Sequence, residues 1–489
     1  MIQLENISVD KTLKEPLYQQ IVNNIKALIH SGDIEVEDKL PPIRALSKHL
    51  GVNNVTVVTA YQMLSDEQIT YKIRGSGSYI APKSDELLAQ ISEFDNAENQ
   101  VYQMKDNQMI LSQETINFAT ATPKSNLFPV TDFKKSINYV LDRDLGEAFG
   151  YQEAKGYYSL RDSIATYLGH QNIQTSADNL QIISGAQQGL DIVSKAVLNY
   201  NDVVLVEAPT YSGAIASFRS RGVKIVQIPM LVDGVNMVKL EEIVKRYQPK
   251  MMYTMINCQN PTGFSYTHKK KELLLKLASD YNMYILEDDY VSELIYSKQK
   301  SLSLKSLDVN DRVIYIKSFS KILMPGLRLG FMIVPDALNQ TVLNAKQATD
   351  ISTSGLIQKA FDVYLRNGQW EKQLLNMKRI YQRKFDKMVE ALNTYLPRSV
   401  HYYVPKGGIL FWLELPKGRD SREFFEKYKQ KDVAFVPGDM FYYTDRKSNA
   451  IRLSIAAVSE EDIEKGIEKL SKQLEVFLSQ QSVEKLPIL

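Results

Sequence analysis

The sequence has almost no cysteine and no marked excess of charge of either sign. Cys258 is the only cysteine among 489 residues, so no disulfide can form within the chain, as in proteins of reducing compartments. Lysine and arginine outnumber aspartate and glutamate by two, so the overall charge indicates no polyanionic partner. The N-terminus has no basic stretch followed by an apolar run, and no segment is apolar enough to span a bilayer. We therefore expect a cytoplasmic protein without a membrane partner.

Length and composition predict several globular domains. A chain of 489 residues exceeds what one core usually serves, and a hydrophobic content of 44% is ordinary for globular proteins. We expect an N-terminal domain at 13–82, a linker at 83–115 and a larger domain at 116–485. The linker holds two Lys/Arg against seven Asp/Glu and is otherwise polar, which favours a flexible connection. Its Leu87, Leu88 and Ile91 leave open a helix packed on one neighbour.

The N-terminal domain has the pattern of a winged helix-turn-helix. Apolar spacing and alternation predict helices at 16–30, 41–50 and 55–66 and strands at 69–73 and 78–80. Gly32 and Gly51 stand just past the first two helices, and Gly75-Ser76-Gly77 separates the strands as a tight turn. The third helix is expected to bury Val57, Val58, Tyr61 and Leu64. Three helices and a hairpin of this size make a winged helix.

From Ile116 onward, short apolar strands alternate with amphipathic helices. This alternation predicts an α/β domain with a largely parallel sheet. The predicted strands are 203–207, 224–228, 251–256, 284–286, 313–316 and 330–334. Later strands at 409–414, 434–436 and 451–455, followed by a helix at 460–478, predict a smaller C-terminal α+β lobe.

Five short motifs follow or adjoin predicted strands. S-F-S-K-I-L-M-P-G-L-R-L-G, at 318–330, contains Lys321; a lone lysine in a loop is usually a solvated surface residue. The other four are G-A-Q-Q-G at 185–189, E-A-P-T-Y at 207–211, N-P-T-G at 260–263 and E-D-D-Y at 287–290. The first of these four opens a helix, where backbone N–H groups suit a phosphate. Because open α/β sheets bind ligands at the carboxyl ends of their strands, we expect one shared site.

In this order, the five motifs resemble those of the fold-type-I aminotransferases. The resemblance implies pyridoxal phosphate as the cofactor and no metal. It makes Lys321 the amine that attaches the cofactor and Asp288 the carboxylate that holds a proton on the ring nitrogen. It places Tyr211 on the ring face and Asn260 and Tyr290 at the ring's phenolate oxygen; Lys321, Asp288 and Tyr290 are the catalytic set. The phosphate ligands it implies are Ala186, Gln187, Ser318, Ser320 and Arg328.

Arg452, in the predicted strand at 451–455, matches the arginine that binds the carboxylate of an amino acid in the same family. A charge at the rim of the site is the alternative for a strand arginine. If the match holds, the domain binds an amino acid or amine in addition to its cofactor.

The N-terminal domain resembles the GntR-type winged helix. The resemblance rests on L-P-P-I-R-A-L at 40–46, T-V-V-T-A-Y-Q-M-L at 56–64 and R-G-S-G-S-Y-I at 74–80. A GntR-type winged helix joined to an aminotransferase-like domain is the architecture of the MocR subfamily. This resemblance implies a homodimeric transcription regulator that binds a double-stranded DNA operator. It also implies that the regulator senses pyridoxal phosphate or its adduct with an amino compound. The third helix would enter the major groove. The implied DNA contacts are Arg44, Lys48, Asn53, Asn54, Thr56, Lys72 and Arg74.

The domain departs from the GntR pattern where DNA would be bound. Asn53-Asn54 replaces the family's serine-arginine, and Pro42 replaces a serine. No charged residue occurs from Gly51 to Ser65, and residues 1–82 hold eight Lys/Arg against nine Asp/Glu. Because Lys and Arg contacts to phosphate supply most non-specific affinity, we expect weak, salt-sensitive binding by each domain and two domains acting together. A winged helix that contacts protein is the alternative.

Three functions are compatible with these motifs. One is a regulator in which the ligand favours one state of the large domain and the linker relays the change. Another is a working aminotransferase with an accessory winged helix, and the third is a pairing with neither activity. The intact motifs argue against the third, and the fused winged helix favours the first. Enzymatic turnover stays open, since half-transamination is compatible with regulation.

Overall fold

The computed structural model describes residues 7–12, 15–31, 38–67, 69–73, 77–80, 115–297, 302–429, 432–444 and 446–480. The chain divides into two compact units, Met1–Glu98 and Asn99–Leu489. Nearly all of the predicted linker at 83–115 lies outside the described residues, so the domain limits stay a prediction. Among the helices described, none combines the length and the apolar character needed to cross a membrane.

The smaller unit contains the three predicted helices and both predicted strands. They are α1 (Leu17–Ser31), α2 (Ile43–Leu50), α3 (Asn54–Asp66), β1 (Thr70–Ile73) and β2 (Gly77–Ile80). The two strands pair antiparallel. Gly51 ends α2 at a φ of +61°, a left-handed conformation that glycine adopts without steric cost. The helices enclose a core that includes Ile21, Ile25, Leu46 and Tyr61.

One core prediction for α3 is wrong. Val57, Tyr61 and Leu64 are buried together with Ala60, but Val58 is 45% exposed. The four buried positions already form a complete stripe at helical spacing. Val58 lies beside that stripe and faces solvent, although its side chain is as apolar as that of Val57.

The larger unit is built on a sheet of eight strands. The strands of this unit up to residue 333 are β3 (Ile116–Asn117), β4 (Leu180–Ile183), β5 (Val203–Ala208), β6 (Lys224–Leu231), β7 (Gly234–Val235), β8 (Met251–Thr254), β9 (Tyr284–Asp289), β10 (Val313–Ser318) and β11 (Gly330–Ile333). Their order in the sheet is β4-β11-β10-β9-β8-β5-β6-β7. Strands β10, β9, β8, β5 and β6 are parallel, whereas β11 runs against both β10 and β4. The predicted strand at 330–334 is therefore present but antiparallel.

Helices cover both faces of this sheet. The helices of the larger unit are α4 (Val130–Asp144), α5 (Tyr158–Gly169), α6 (Ala186–Val197), α7 (Ser212–Arg219), α8 (Met237–Tyr247), α9 (His268–Asp280), α10 (Asp336–Gln347), α11 (Gly355–Arg366), α12 (Gln369–Tyr395), α13 (Ser421–Tyr428) and α14 (Glu460–Ser479). Val204 and Val206 belong to one buried core, and Leu205 between them belongs to the other, with α8 and α9. Because both faces are covered, these strands are continuously apolar.

A smaller sheet forms the C-terminal lobe. Its antiparallel strands are, in order across the sheet, β12 (His401–Tyr402), β13 (Leu410–Glu414), β16 (Ala450–Ser454) and β15 (Val436–Pro437). Strand β14 (Val433–Ala434) pairs instead with β3, at the start of the described part of this unit. The predicted strand at 434–436 is thus divided at the buried Phe435 between two sheets.

Candidate cofactor site and nucleic-acid interface

The predicted cofactor residues meet at one edge of the large sheet. Strand β10 ends at Ser318, and Ser320 and Lys321 follow it. Both serines are buried, and the Ser320 backbone N–H donates to Ser318 Oγ at 3.3 Å. Because β11 is antiparallel, it begins at Gly330 beside Ser318, and Arg328 therefore lies at the same edge. The carboxyl ends of β4, β5, β8 and β9 complete this edge.

Lys321 is a half-buried amine among charged neighbours. Burial, together with the positive charges of Arg452 and Arg328, lowers its pKa to about 8, while Asp288 acts in the opposite direction. A lysine with such a pKa has a substantial neutral fraction near pH 7, and the neutral amine is the nucleophilic form. Lys321 can therefore attack an aldehyde carbon.

Asp288 offers one unsatisfied oxygen to the site. Its Oδ2 accepts a hydrogen bond of 2.8 Å from the Tyr253 hydroxyl, whereas its buried Oδ1 has no partner among the described residues. Burial raises the pKa of Asp288 to about 6, against the hydrogen bond from Tyr253, so the carboxylate is charged at neutral pH. A buried, charged and unpartnered oxygen suits a protonated ring nitrogen.

The start of α6 is open toward Arg328. Gly185 precedes the helix at a φ of +88° and no side chain caps it, which leaves the N–H groups of Ala186 and Gln187 in the first turn for a ligand. Arg328 Nη2 donates to the Ser184 carbonyl at 2.8 Å, and a Cβ on Gly185 would lie 2.8 Å from that same nitrogen. Glycine at position 185 therefore lets the Arg328 guanidinium lie against the start of α6, and the guanidinium and the N–H groups of the first turn together suit an anion.

The Tyr211 ring is fixed in orientation. Its hydroxyl donates to Gln187 Oε1 at 3.2 Å, and Gln187 Nε2 donates to the Gly213 carbonyl at 2.9 Å. A Cβ on Gly213 would lie 2.5 Å from the Tyr211 ring. Burial raises the pKa of Tyr211, so the ring is neutral and its face can stack on another ring.

Arg452 reaches the site from β16 in the smaller lobe. Its Nη1 donates to Asn260 Oδ1 at 3.3 Å and its Nη2 to the Ala119 carbonyl at 2.6 Å. The guanidinium carbon is 5.0 Å from the centre of the Phe441 ring, and the buried Nε has no partner among the described residues. Burial lowers the pKa of Arg452 to about 10, so it carries a positive charge at neutral pH.

Of the two residues predicted at the ring's phenolate oxygen, Tyr290 uses its hydroxyl elsewhere, whereas Asn260 uses only its amide oxygen. The Tyr290 hydroxyl donates to the Cys258 carbonyl, and the Asn260 amide oxygen accepts from Arg452. The structure places both residues after neighbouring parallel strands, β9 and β8. For Tyr290 to donate to a ligand, its hydroxyl must leave Cys258.

Sequence reasoning missed the hydrogen bonds that hold these loops. Glu207, at the end of β5, is buried and accepts from Tyr266 Oη at 2.9 Å and from Gln259 Nε2 at 3.0 Å. Gln259 also donates to the Pro209 carbonyl at 2.7 Å. Glu207 therefore joins the motif at 207–211 to the one at 260–263. Burial raises its pKa to about 7. The signal for it was an acidic residue at the end of a buried strand.

The predicted DNA contacts of the smaller unit lie on α2, α3 and the hairpin. Arg44 and Lys48 are exposed and one turn apart on α2, on the same face. Thr56 is half-buried in the first turn of α3. Lys72 lies in β1, but its side chain, and all of Arg74, fall outside the described residues.

Asn53 and Asn54 both serve the local structure. The Asn53 amide oxygen accepts from the Val55 N–H at 3.1 Å and caps α3. The Asn54 amide oxygen accepts from the Ser47 hydroxyl at 2.5 Å, which joins α3 to α2. Reading adenine takes both ends of an asparagine amide, so base reading by either residue competes with these bonds.

Both units match known families. Residues 113–470 match the family "Aminotransferase class I and II", and residues 17–80 match "Bacterial regulatory proteins, gntR family". A 2-aminoadipate transaminase of Thermus thermophilus is 35% identical over 74% of this chain and 91% of its own length. The uncharacterized HTH-type transcriptional regulator YdfD of Bacillus subtilis is 29% identical over 96% of this chain and 98% of its own. A solved structure is similar as well: the α-aminoadipate aminotransferase LysN from Thermus thermophilus, complexed with N-(5'-phosphopyridoxyl)-L-leucine. Its sequence is 34% identical to this chain, and the match covers 75% of this chain and 94% of LysN. The two structures superpose with a TM-score of 0.70.

Proposed function

We propose that the chain is a transcription regulator that binds double-stranded DNA with its smaller unit and pyridoxal phosphate with its larger unit. It belongs to the class I and II aminotransferase family and carries a gntR-family domain ahead of the aminotransferase domain. The carrying observation is the match to the Bacillus subtilis regulator, which extends over both units. The phosphopyridoxyl group bound by the Thermus relative supports the cofactor. Since its partner is DNA, we place its action in the cytoplasm.

Lys321 and Asp288 fit the reactive end of the cofactor. The lowered pKa of Lys321 provides a neutral amine that attaches the aldehyde. Asp288 Oδ1 is the free acceptor for a protonated ring nitrogen, while Tyr253 holds the other oxygen. When bound, the cofactor supplies a ring that accepts electrons from an attached amino compound. Asp288 contributes by keeping a proton on the ring nitrogen.

The phosphate and the ring face have their own candidates. The N–H groups at the start of α6 and the Arg328 guanidinium supply charge-assisted donors to a dianion. We assign the phosphate to Ala186, Gln187, Ser318, Ser320 and Arg328. Tyr211 lies against the ring face. Asn260 donates from its Nδ2 to the ring's phenolate oxygen while its Oδ1 stays on Arg452, and Tyr290 donates to the same oxygen after its hydroxyl leaves Cys258.

An amino acid or amine is the proposed effector, and Arg452 is its proposed carboxylate ligand. The support is a guanidinium that is buried and charged and whose Nε has no partner among the described residues. Lys321 lies close enough for Arg452 to lower its pKa. A carboxylate at Arg452 therefore lies near the amine that carries the cofactor.

A functional aminotransferase is the second candidate. The Thermus relative at 35% identity is named a transaminase, and a transaminase would use the same Lys321 and Asp288 as a regulator that binds the cofactor. Steady-state turnover with amino acids and oxo acids separates this candidate from a regulator that binds the same ligands without turnover.

We further propose that the chain acts as a homodimer. Tyr139, Leu145, Phe149 and Tyr151 follow one another along the end of α4 and the next turn, and each is more than half exposed. Contiguous exposed apolar side chains mark protein interfaces, and a second copy brings two winged helices to one DNA molecule. Sedimentation of the cofactor-bound chain as a monomer contradicts this.

The regulatory proposal is tested by binding of the full chain to DNA with and without cofactor. We expect pyridoxal phosphate, alone or with an amine from a panel, to change the dissociation constant for a selected duplex, and Lys321→Ala to remove the change. Equal DNA binding under all of these conditions, together with steady transaminase turnover, would favour the enzyme over the regulator.

A further inference from the structure

The exposed face of α3 is apolar where a recognition helix meets base edges. Val55 is 66% exposed and Val58 is 45% exposed. They lie three residues apart, so they share one face of the helix. The Thr59 hydroxyl donates to the Val55 carbonyl at 2.9 Å and is therefore used within the helix.

The amide oxygens of the two asparagines at the start of α3 serve the fold. Asn53 caps the helix and Asn54 accepts from Ser47. No charged side chain precedes Asp66 in α3. Val55 and Val58 are thus the first exposed side chains of α3 that make no hydrogen bond among the described residues.

Charge for the DNA backbone lies outside α3. Arg44 and Lys48 are exposed on α2. Lys11 is also exposed and donates to the carbonyl of Gly51, two residues before Asn53. These cations flank the start of α3, where phosphate contacts would position the helix without reading sequence.

On the basis of the proposed function, we propose that Val55 and Val58 recognise the 5-methyl groups of thymine in the major groove. The thymine methyl is the one apolar group that the four bases present there. Contact with a valine side chain removes it from water. Loss of one buried methyl group weakens binding by about fourfold. Sequence recognition by this domain is then strongest at thymine positions.

The test begins with selection of duplexes from a random library by the full chain with pyridoxal phosphate. Deoxyuridine then replaces each thymine of the selected site in turn, which removes the methyl and leaves every hydrogen-bonding group of the base. We expect one or more positions at which the replacement raises Kd by about fourfold. At such a position Val55→Ser or Val58→Ser binds the thymine and uracil duplexes equally.

Two comparisons exclude a general loss of folding or of DNA binding as the cause of this result. Serine and valine have similar helix propensity, and each variant should bind the uracil duplex as tightly as the unmodified chain does. Val238 is the matched control because it too is the second residue of its helix, at 68% exposure. Val238→Ser should keep the full preference for thymine.

The inference is overturned if uracil costs nothing at any position, or if the preference for thymine survives in both α3 variants. It is equally overturned if a variant loses the uracil duplex as well. When selection enriches duplexes but uracil has no effect, DNA binding stands and only methyl recognition fails. When no duplex is enriched, the proposed function itself fails.

Discussion

Replacing Tyr253 by phenylalanine removes one hydroxyl from beneath the cofactor site. The Tyr253 ring is fully buried and packs edge-to-face on Phe218, with the ring centres 5.8 Å apart. Phenylalanine preserves this packing. What is lost is the 2.8 Å hydrogen bond to Asp288 Oδ2. In the variant, neither oxygen of this buried carboxylate has a hydrogen-bond donor among the described residues.

The size of the effect follows from the charge on the acceptor. A hydrogen bond to a charged group contributes about 1.5–3 kcal/mol, and one pKa unit corresponds to about 1.4 kcal/mol. Burial already raises the pKa of Asp288 to about 6, so in Tyr253→Phe we expect it to rise by a further ~1–2 units. Only the charged carboxylate holds the ring proton, so affinity for pyridoxal phosphate falls as the pH drops through this pKa. In the variant that fall occurs at higher pH.

The measurement is the dissociation constant of pyridoxal phosphate as a function of pH, for the unmodified chain and two variants. Tyr315→Phe is the matched control, because Tyr315 is as buried as Tyr253 and donates at 2.6 Å to the next carboxylate, Asp289. We expect the midpoint to move in Tyr253→Phe and to stay nearly constant in Tyr315→Phe. Equal midpoints in the two variants would refute the reasoning.

Three more outcomes are expected. Lys321→Ala should abolish the absorption band of the imine between the cofactor and the protein, since the attaching amine is gone; an unchanged spectrum contradicts the assignment. Arg44→Ala should weaken binding equally for all DNA sequences and lower the salt dependence by about one contact, with cofactor uptake intact, and a parallel loss of both would show that the two units are not separable. Lys317→Met should destabilise the larger unit by about 3–5 kcal/mol, because Lys317 bridges the buried Asp289 and Glu293 at 3.1 and 2.6 Å; a shift in the denaturant midpoint worth less than ~1 kcal/mol argues against it.

The predicted fold class is confirmed by the family matches and the solved relative. Strands such as β5 and β10 were readable because both of their faces are buried and their sequences are continuously apolar. The bounds of β4 were not predicted, because the buried Gln181 interrupts its short apolar run. The break at Phe435 was also missed, because a buried residue between two sheets looks like part of one strand.

Site residues could be predicted from the sequence where they stand in a motif at the end of a strand. Their hydrogen-bond partners on other strands could not. Asp288 and Lys321 stand in motifs, and the structure brings both to the same edge. Tyr253 is 35 positions before Asp288 and contacts it only because β8 lies beside β9, with Tyr253 opposite Leu286. A single sequence does not contain that register. The prediction that Val58 is buried was wrong for a related reason, since apolar character alone does not distinguish a core valine from an exposed one.

The first described residues of the larger unit make two contacts with its C-terminal part. Strand β3 pairs with β14, and two residues further on the Ala119 carbonyl accepts from Arg452. Since that acceptor is a main-chain oxygen, no side-chain replacement at position 119 deletes it. A carboxylate that binds Arg452 must share the guanidinium with this oxygen. One guanidinium can therefore bind an incoming carboxylate and the first described stretch of the larger unit at the same time.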